Sequence, residues 1–263
     1  MAYILPILIV LAVAVLFAFL LGLLGTKLSV KKDERIDEVR DRLAGANCGG
    51  CGYPGCDAFA EALVRGEAKL SDCNPTSKDR KKEISSILGA EDDGGEETVA
   101  VVHCAGGNRC KDKYSYHGYG DCQSCYMMAG GVKQCAPACM GLGSCVESCE
   151  YDAIHIDPES GVSVVDRDKC TSCGRCIGTC PVTIIDRMPK SSMYYCACSN
   201  HGTAKAVMAV CEVGCIACGK CARVCPEGAI TMRDNLPVFN YAKCVNCGKC
   251  FEACPRHIIL KAE

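Results

Sequence analysis

CTSCGRCIGTCP, at residues 170–181, governs the architecture of this chain. Three cysteines follow one another at three-residue steps, and a fourth stands directly before a proline. This C-x2-C-x2-C-x3-C-P spacing is the bacterial run that ligates [4Fe–4S] clusters. It recurs at residues 215–226 and 244–255. Three matches to one five-position pattern predict a protein that binds iron–sulfur clusters and carries electrons.

The cysteine content, 27 of 263 residues, has two other interpretations. A disulfide scaffold is usually a short domain in an oxidising compartment, and cysteines three residues apart make poor disulfide partners. Zinc sites typically combine two C-x2-C pairs across a longer loop, often with histidine. The chain is too long for the first class and its triplets do not match the second, so iron–sulfur clusters are favoured. Reduced thiolates in this number imply the cytosol or the cytosolic side of a membrane.

The remaining composition argues against several classes of function. A formal charge of −2 and the lack of a basic stripe with interleaved aromatic residues argue against nucleic-acid binding. No glycine-rich phosphate loop follows a strand pattern, so nucleotide or flavin binding is not expected. No arrangement of side chains predicts a catalytic site apart from redox clusters. Because tryptophan is absent and phenylalanine numbers five, metal ligation must provide much of the folding free energy.

The N-terminal segment predicts a membrane anchor. Residues 3–24 carry no charge, and as a helix they would extend roughly 33 Å, enough to cross the hydrocarbon layer. A cleaved signal peptide would begin with positive charge and have a shorter apolar core, and a buried core helix is the other alternative. Lys27, Lys31 and Lys32 follow directly. The positive-inside rule therefore predicts residues 1–26 as a single-pass anchor in the cytoplasmic (inner) membrane, with the bulk of the chain on the cytoplasmic side.

Residues 33–89 form the next predicted domain, here called the four-cysteine domain. Cys48, Cys51, Cys56 and Cys73 are spaced C-x2-C-x4-C-x16-C among several glycines. Glycines let the backbone turn closely around an inorganic core. Four thiolates suffice for one [4Fe–4S] cluster, and a zinc knuckle is the alternative.

An internal duplication fixes the rest of the architecture. A shift of 76 residues superposes five cysteines of one half on five of the other: 122 on 198, 135 on 211, 139 on 215, 145 on 221 and 149 on 225. Each half predicts a ferredoxin-like module with two clusters, the first module at residues 99–190 and the second module at residues 191–263. The predicted fold class is α+β: an N-terminal transmembrane helix, a small helical four-iron domain and tandem two-cluster bacterial ferredoxin-like modules.

Local patterns predict short elements around these sites. Helices are expected at residues 33–43, 57–65 and 77–88. Hairpin strands are expected at residues 153–156 with 162–165, and at 229–232 with 237–239. The acidic, glycine-rich residues 90–98 predict a flexible linker between the four-cysteine domain and the modules.

Ligands follow from the rule that, in two-cluster ferredoxins, the fourth cysteine of each run ligates the other cluster. In the second module this gives two sets: Cys215, Cys218, Cys221 and Cys254, and Cys244, Cys247, Cys250 and Cys225. In the first module it gives one regular set: Cys170, Cys173, Cys176 and Cys149.

The other site of the first module, here called the irregular site, departs from the pattern. Leu142 stands where the second module has a cysteine. Cys139, Cys145 and Cys180 remain as ligands. Cys135 is favoured as the fourth ligand, and a three-iron cluster is the alternative.

Seven cysteines lie outside these sets. Four of them have a spacing, C-x5-C-x11-C-x2-C, that suits a further cluster: Cys104, Cys110, Cys122 and Cys125. The other three receive no role: Cys196, Cys198 and Cys211. Buried thiols or a redox pair are the alternative for these extra cysteines. Five [4Fe–4S] clusters are therefore expected, or six if the further set binds one.

With these residues in place, the chain resembles the B-type subunit of Rnf ion-translocating oxidoreductase complexes. The resemblance covers nearly the whole length and rests on the order of N-terminal helix, four-cysteine domain and tandem modules. YSYHG at residues 114–118, Asp121-Cys122 and CMGLGSC at residues 139–145 are also similar to that family. The four-cysteine domain alone is less specific, since similar domains occur in corrinoid and hydrogenase-associated proteins.

The resemblance implies a function. Such a chain would be the electron-transfer subunit of a membrane-bound ferredoxin:NAD oxidoreductase that translocates Na⁺ or H⁺. It would take electrons from reduced ferredoxin and relay them through [4Fe–4S] clusters to partner subunits that bind flavin or NAD. A membrane-tethered polyferredoxin serving a hydrogenase or a reductive activase is the alternative, and a non-redox metal-binding protein is a third hypothesis.

Overall fold

The computed structural model describes residues 11–21, 33–89 and 96–262. Residues 11–21 are helical and exposed along their whole length. The rest of the predicted anchor, residues 1–10 and 22–26, lies outside the described residues, as do residues 90–95 of the predicted linker. No helix within the described ranges has both the length and the apolar character needed to cross a membrane.

The four-cysteine domain is helical. Its helices span Glu34–Arg42, Cys56–Arg65 and Lys78–Leu88, with a 3₁₀ turn at Leu70–Asp72. They match the helices expected from the sequence. Asp33 starts the first helix, because its carboxylate accepts a hydrogen bond from the Arg35 amide. Gly66 and Gly89 end the other two with left-handed φ values of 74° and 65°.

The core of this domain lies against its cysteines. Val39, Phe59 and Ile84 are almost fully buried in it. Cys73 belongs to the same buried cluster, and Cys51 packs against it. The three helices therefore hold the cysteine site on one side of a small apolar core.

Eight strands form four two-stranded antiparallel sheets within residues 96–262. Two sheets join distant parts of a module: β1 (Thr98–Val102) pairs with β4 (Ile185–Pro189), and β5 (Tyr194–Cys196) pairs with β8 (Ile259–Lys261). The other two are local hairpins: β2 (Ile154–Ile156) with β3 (Ser163–Val165), and β6 (Ile230–Arg233) with β7 (Leu236–Phe239). Both predicted hairpins are thereby confirmed.

Short helices connect these strands. They span Cys122–Met127, Ser144–Glu147, Arg175–Thr179, Ala204–Val210, Lys220–Arg223 and Lys249–Ala253, with 3₁₀ turns at Gly107–Arg109 and Tyr241–Lys243. Four of them follow a glycine with φ between 67° and 83°: Gly143, Gly174, Gly219 and Gly248. Only glycine adopts this conformation without strain. The cysteine two residues later therefore sits in the first turn of each of these helices.

Each module has its own small core. In the first module the buried aliphatic residues include Ala100, Val102, Ile154, Val165 and Ile185. In the second module they include Ala197, Ile230, Leu236, Ile258 and Ile259. Buried cysteines belong to both cores. The mixture of short helices and strands around cysteine-rich cores agrees with the predicted α+β class.

Candidate metal centres

All 27 cysteines are free thiols, and 25 of them are buried or partly buried. Cys218 and Cys247 are the two exposed ones. Across residues 11–21, 33–89 and 96–262, no three Cys, His, Asp or Glu side chains converge on a position for a single metal ion. Several groups of four or five cysteines surround small cavities instead.

One such cavity lies in the second module and has a volume of about 20 Å³. Cys215, Cys218, Cys221 and Cys254 line it, and these are the four that the crossed ligand rule assigns to one cluster. Burial raises the pKa of Cys215 and that of Cys221 to about 11. Buried thiolates are stable only beside compensating positive charge, so this donor set fits the iron atoms of a cluster.

The partner set of the second module also lies together. Burial raises the pKa of Cys250 above its usual value, and the nearby thiols of Cys244 and Cys247 raise it further. Cys225 packs against the core that contains Cys250. The Ala229 amide donates to the Cys225 sulfur at 3.3 Å. Hydrogen bonds of this kind tune the potential of a bound cluster.

The regular set of the first module has the same surroundings. Burial and the neighbouring thiols of Cys170, Cys173, Cys145 and Cys149 together raise the pKa of Cys176 to about 12. The Ala153 amide donates to the Cys149 sulfur at 3.4 Å, as Ala229 does to Cys225. Cys149 and Cys170 also pack against the core that contains Cys176.

The irregular site also has four cysteines. A cavity of about 20 Å³ is lined by Cys122, Cys139, Cys145 and Cys180. The Cys122 amide donates to Ser144 Oγ at 2.8 Å, which holds the start of the helix Cys122–Met127 beside the cysteine run. Cys122 thus lies where a fourth ligand is needed.

Cys135, favoured from the sequence for this role, lies elsewhere. It belongs to a separate buried group with Cys110 and Cys211. The physical reason is the antiparallel bridge between Asp112 and Lys133, which holds the following chain beside Cys110. The structure therefore brings Cys122, and not Cys135, to the irregular site.

The further set suggested by spacing is not brought together either. Cys122 lines the irregular site, whereas Cys125 is fully buried in an apolar group with Val132 and Met140. Cys104 and Cys110 line a different cavity between the modules, as do Cys135, Cys198 and Cys211. The spacing of cysteines along the chain cannot reveal this division, because the cavity is lined by cysteines from both modules, which are distant in sequence.

The duplication gave a signal for one of these cysteines only. It pairs Cys135 with Cys211, and both lie in the same buried group. It also pairs Cys122 with Cys198, but these two line different cavities. Cys196 has no such counterpart, and it is buried in the core of the second module.

In the four-cysteine domain, Cys51 and Cys56 pack against the buried cluster that contains Cys73. Burial raises the pKa of Cys73 above its usual value, a hydrogen bond from Thr76 opposes this, and the thiols of Cys51 and Cys56 raise it further. The Cys73 sulfur lies 3.1 Å from the Thr76 hydroxyl. The Asn47 side chain accepts from the Cys56 amide at 2.8 Å and so shapes the turn before the helix.

The fourth, Cys48, lies where this domain packs against the first module. A Cβ atom on Gly50 would be 2.4 Å from the Cys173 carbonyl oxygen and 3.6 Å from the Cys48 sulfur. Arg175, two residues after Cys173, forms an ion pair with Glu150. The contact therefore requires glycine at position 50, and it brings the Cys48 and Cys173 sites next to each other.

Family models match the three cysteine-rich parts of the chain. The model described as "Putative Fe-S cluster" matches residues 43–75. The model described as "4Fe-4S dicluster domain" matches twice, at residues 138–184 and 214–258. The two dicluster matches coincide with the cysteine runs of the two modules.

The chain is also similar to curated proteins over most of its length. It is 38% identical to the B-type subunit of the Na⁺-translocating ferredoxin:NAD⁺ oxidoreductase complex of Acetobacterium woodii, over 87% of this chain and 68% of that protein. It is 37% identical to the B-type subunit of the ion-translocating oxidoreductase complex of Methanosarcina acetivorans, over 79% of each chain. It is 32% identical to the B-type subunit of the proton-translocating ferredoxin:NAD⁺ oxidoreductase complex of Clostridium ljungdahlii, over 86% of this chain and 80% of that protein.

Proposed function

Because the chain belongs to the family of B-type subunits of Rnf ion-translocating oxidoreductase complexes, we propose that it is the electron-transfer subunit of a membrane-bound ferredoxin:NAD oxidoreductase. The observation that carries this function is identity of 32% to 38% with named B-type subunits over most of the chain. These relatives do not favour a polyferredoxin of a hydrogenase. Because relatives named for Na⁺ and for proton translocation are both similar to the chain, the transported ion is either of the two.

The proposed metal ligands form five sets of four cysteines. They are Cys48, Cys51, Cys56 and Cys73; Cys122, Cys139, Cys145 and Cys180; Cys149, Cys170, Cys173 and Cys176; Cys215, Cys218, Cys221 and Cys254; and Cys225, Cys244, Cys247 and Cys250. Cys122 takes the place that the sequence suggested for Cys135, because it lines the cavity of the irregular site. A bound [4Fe–4S] cluster supplies a one-electron carrier whose potential depends on charge, exposure and hydrogen bonds to sulfur.

The proposed organisation has one end at the membrane and the other toward the donor. Residues 1–26 form the anchor, a role supported by the uncharged stretch and the lysines that follow it. The four-cysteine domain, residues 33–89, comes next and serves the membrane partners. Beyond the linker at residues 90–98, the first module (99–190) connects it to the second module (191–263).

The second module is proposed to face reduced ferredoxin. It contains both exposed cysteines, Cys218 and Cys247. It also carries eight Lys and Arg against five Asp and Glu, although the whole chain has a formal charge of −2. Lys220 and Lys249 are exposed and directly precede Cys221 and Cys250. A positive surface beside accessible cysteines suits a negatively charged redox partner.

The test is a metal and redox analysis of the full chain purified without oxygen. We expect about twenty or more iron atoms and as many sulfides per chain. Reduced ferredoxin should bleach the thiolate-to-iron absorption, and EPR should show reduced clusters. Zinc without iron, or iron sites that ferredoxin does not reduce, would contradict the proposed function.

A further inference from the structure

A third cavity of similar size lies where the two modules meet. It has a volume of about 20 Å³, the same as each of the two cavities described above. Five cysteines line it: Cys104, Cys110, Cys135, Cys198 and Cys211. None belongs to the five proposed ligand sets, and all five lie outside the segments that the family models match. We call this group the junction thiols.

Two junction thiols occupy equivalent positions in the two modules. Cys104 follows the end of β1 by two residues, and Cys198 follows the end of β5 by two residues. The Cys104 sulfur accepts from the Cys139 amide at 3.4 Å, and the Cys198 sulfur accepts from the Cys215 amide at 3.5 Å. Each module therefore presents one thiol to the junction through the same local structure.

The other three junction thiols are linked across the module boundary. Cys135 and Cys211 each stand four residues before the first cysteine of their run. Cys110 and Cys211 form an antiparallel backbone bridge, so the chain of one module lies directly on the other. All three are buried, each less than a tenth exposed. The modules thus surround the cavity with thiols from both sides.

The walls of the cavity fit an inorganic cluster. A Cβ atom on Gly106 would lie 3.3 Å from the Cys211 sulfur and 3.7 Å from the Cys104 sulfur. Glycine at this position therefore leaves space beside both sulfur atoms. The Asn200 amide donates to the Cys135 sulfur at 3.1 Å. Most of the remaining lining is small and apolar, including Ala138. As neutral thiols these five side chains could be buried at little cost, but only a bound cation would hold them as thiolates in such a place.

We propose that four of the five junction thiols hold a further [4Fe–4S] cluster, located between the two modules. This inference rests on the proposed function, since it adds a site to the same electron-transfer subunit. The cluster would join the modules covalently to one inorganic core, with ligands from both. It would therefore act as a structural link between the modules and as an additional redox site.

The experiment compares two variants of the full chain, purified without oxygen. Any four of the five junction thiols include Cys198 or Cys211, so the double variant Cys198→Ala/Cys211→Ala tests the site whichever four are ligands. We expect iron to fall from about 24 to about 20 atoms per chain, with a matching loss of sulfide and of one reduced cluster in the EPR integral. Cys125→Ala is the matched control, because Cys125 is buried outside every proposed site, and it should retain all iron.

Two results would overturn the inference. One is unchanged iron in the double variant, and the other is an equal loss of iron from Cys125→Ala. Absence of iron from the unmodified chain would instead contradict the proposed function, so the two failures are distinguishable.

A milder variant tests the site if the double variant does not fold. Asn200→Asp keeps the oxygen that accepts from the Gly202 amide at 2.8 Å, but it replaces the donor to Cys135 by a negative oxygen. Loss of an N–H···S bond and added negative charge both stabilise the oxidised cluster. We expect one midpoint potential to become more negative in a redox titration followed by EPR, with iron content unchanged. Because Asn200 itself lines the cavity, the added charge would lie beside the cluster whichever four thiols are ligands, so unchanged midpoints would overturn the inference.

Discussion

Leu142 is the side chain that distinguishes the first module from its duplicate. The left-handed turn that follows it is kept, since Gly143 has a φ of 83° and its counterpart Gly219 has a φ of 67°. Leu142 therefore removes one thiol ligand from the first module without removing the turn that holds the run. Cys122, supplied by a helix that the cysteine run does not contain, lies in the same cavity as the remaining three cysteines.

Substitution of Cys122 tests this arrangement. We expect Cys122→Ala to convert the irregular site to a three-iron cluster, because three thiols remain to hold it. The change should appear as the loss of about one iron atom per chain and as a new EPR signal in the oxidised protein. Adding Leu142→Cys to the same chain should restore the four-iron form, because it completes the regular C-x2-C-x2-C spacing.

Cys125→Ala is the control for this experiment as well, because Cys125 lies in the same helix but packs into the apolar group. It should leave both the iron content and the EPR signals unchanged. An unaltered spectrum for Cys122→Ala would show that another residue is the fourth ligand.

The same site shows what sequence can and cannot determine about single residues. The spacing predicted Cys139, Cys145 and Cys180, because each lies within a run whose backbone path is short and regular. The fourth position depends on which outlying segment returns to the run, and several cysteines precede it in the chain. Only the packing of residues 111–134 determines that Cys122, and not Cys135, lies at the irregular site.

Secondary-structure elements show the same division between local and non-local information. The β2–β3 and β6–β7 hairpins were predictable, because alternating residues flank a short turn. The β1–β4 and β5–β8 pairs were not predicted. They join Thr98 to Pro189 and Tyr194 to Lys261, and no turn signal connects strands so far apart. These pairs are what close each module around its cysteines.

The packing of the four-cysteine domain against the first module depends on one glycine. We expect Gly50→Ala to separate the two, because the new methyl group would lie 2.4 Å from the Cys173 carbonyl oxygen, a backbone atom that cannot move aside. All clusters should stay bound, since no ligand is changed. Hydrogen–deuterium exchange should increase in the loops around Cys48 and Cys173, and NAD reduction by the complex should fall.

Gly178→Ala is a suitable control for this substitution. Gly178 lies in the helix Arg175–Thr179 of the same module, and a Cβ atom there would have no neighbour within 4 Å. Its exchange pattern should match that of the unmodified chain. If Gly50→Ala leaves exchange unchanged in both loops, the contact does not exist in solution.

For the protein as a whole, charge is distributed unevenly along the chain. The second module has an excess of positive residues, whereas the remaining residues carry an excess of negative ones. Such asymmetry orients an approaching charged partner before contact and raises its association rate. It does not by itself determine affinity, which depends on close packing at the interface. The effect should therefore depend on ionic strength.

Reversal of two charges in the second module tests this orientation. We expect Lys220→Glu/Lys249→Glu to slow the reduction of the chain by reduced ferredoxin roughly tenfold at low salt. The rate should approach that of the unmodified chain at high salt, because screening shortens the reach of exposed charges to a few ångströms. Stopped-flow absorbance at several salt concentrations measures this rate, with iron content as a check that both neighbouring clusters remain.

The control is Lys78→Glu, which changes an exposed residue of the four-cysteine domain and should leave the rate nearly unchanged. If it slows reduction as much as the double variant does, the donor does not select the second module, and the exposed Cys218 and Cys247 are accessible for another reason.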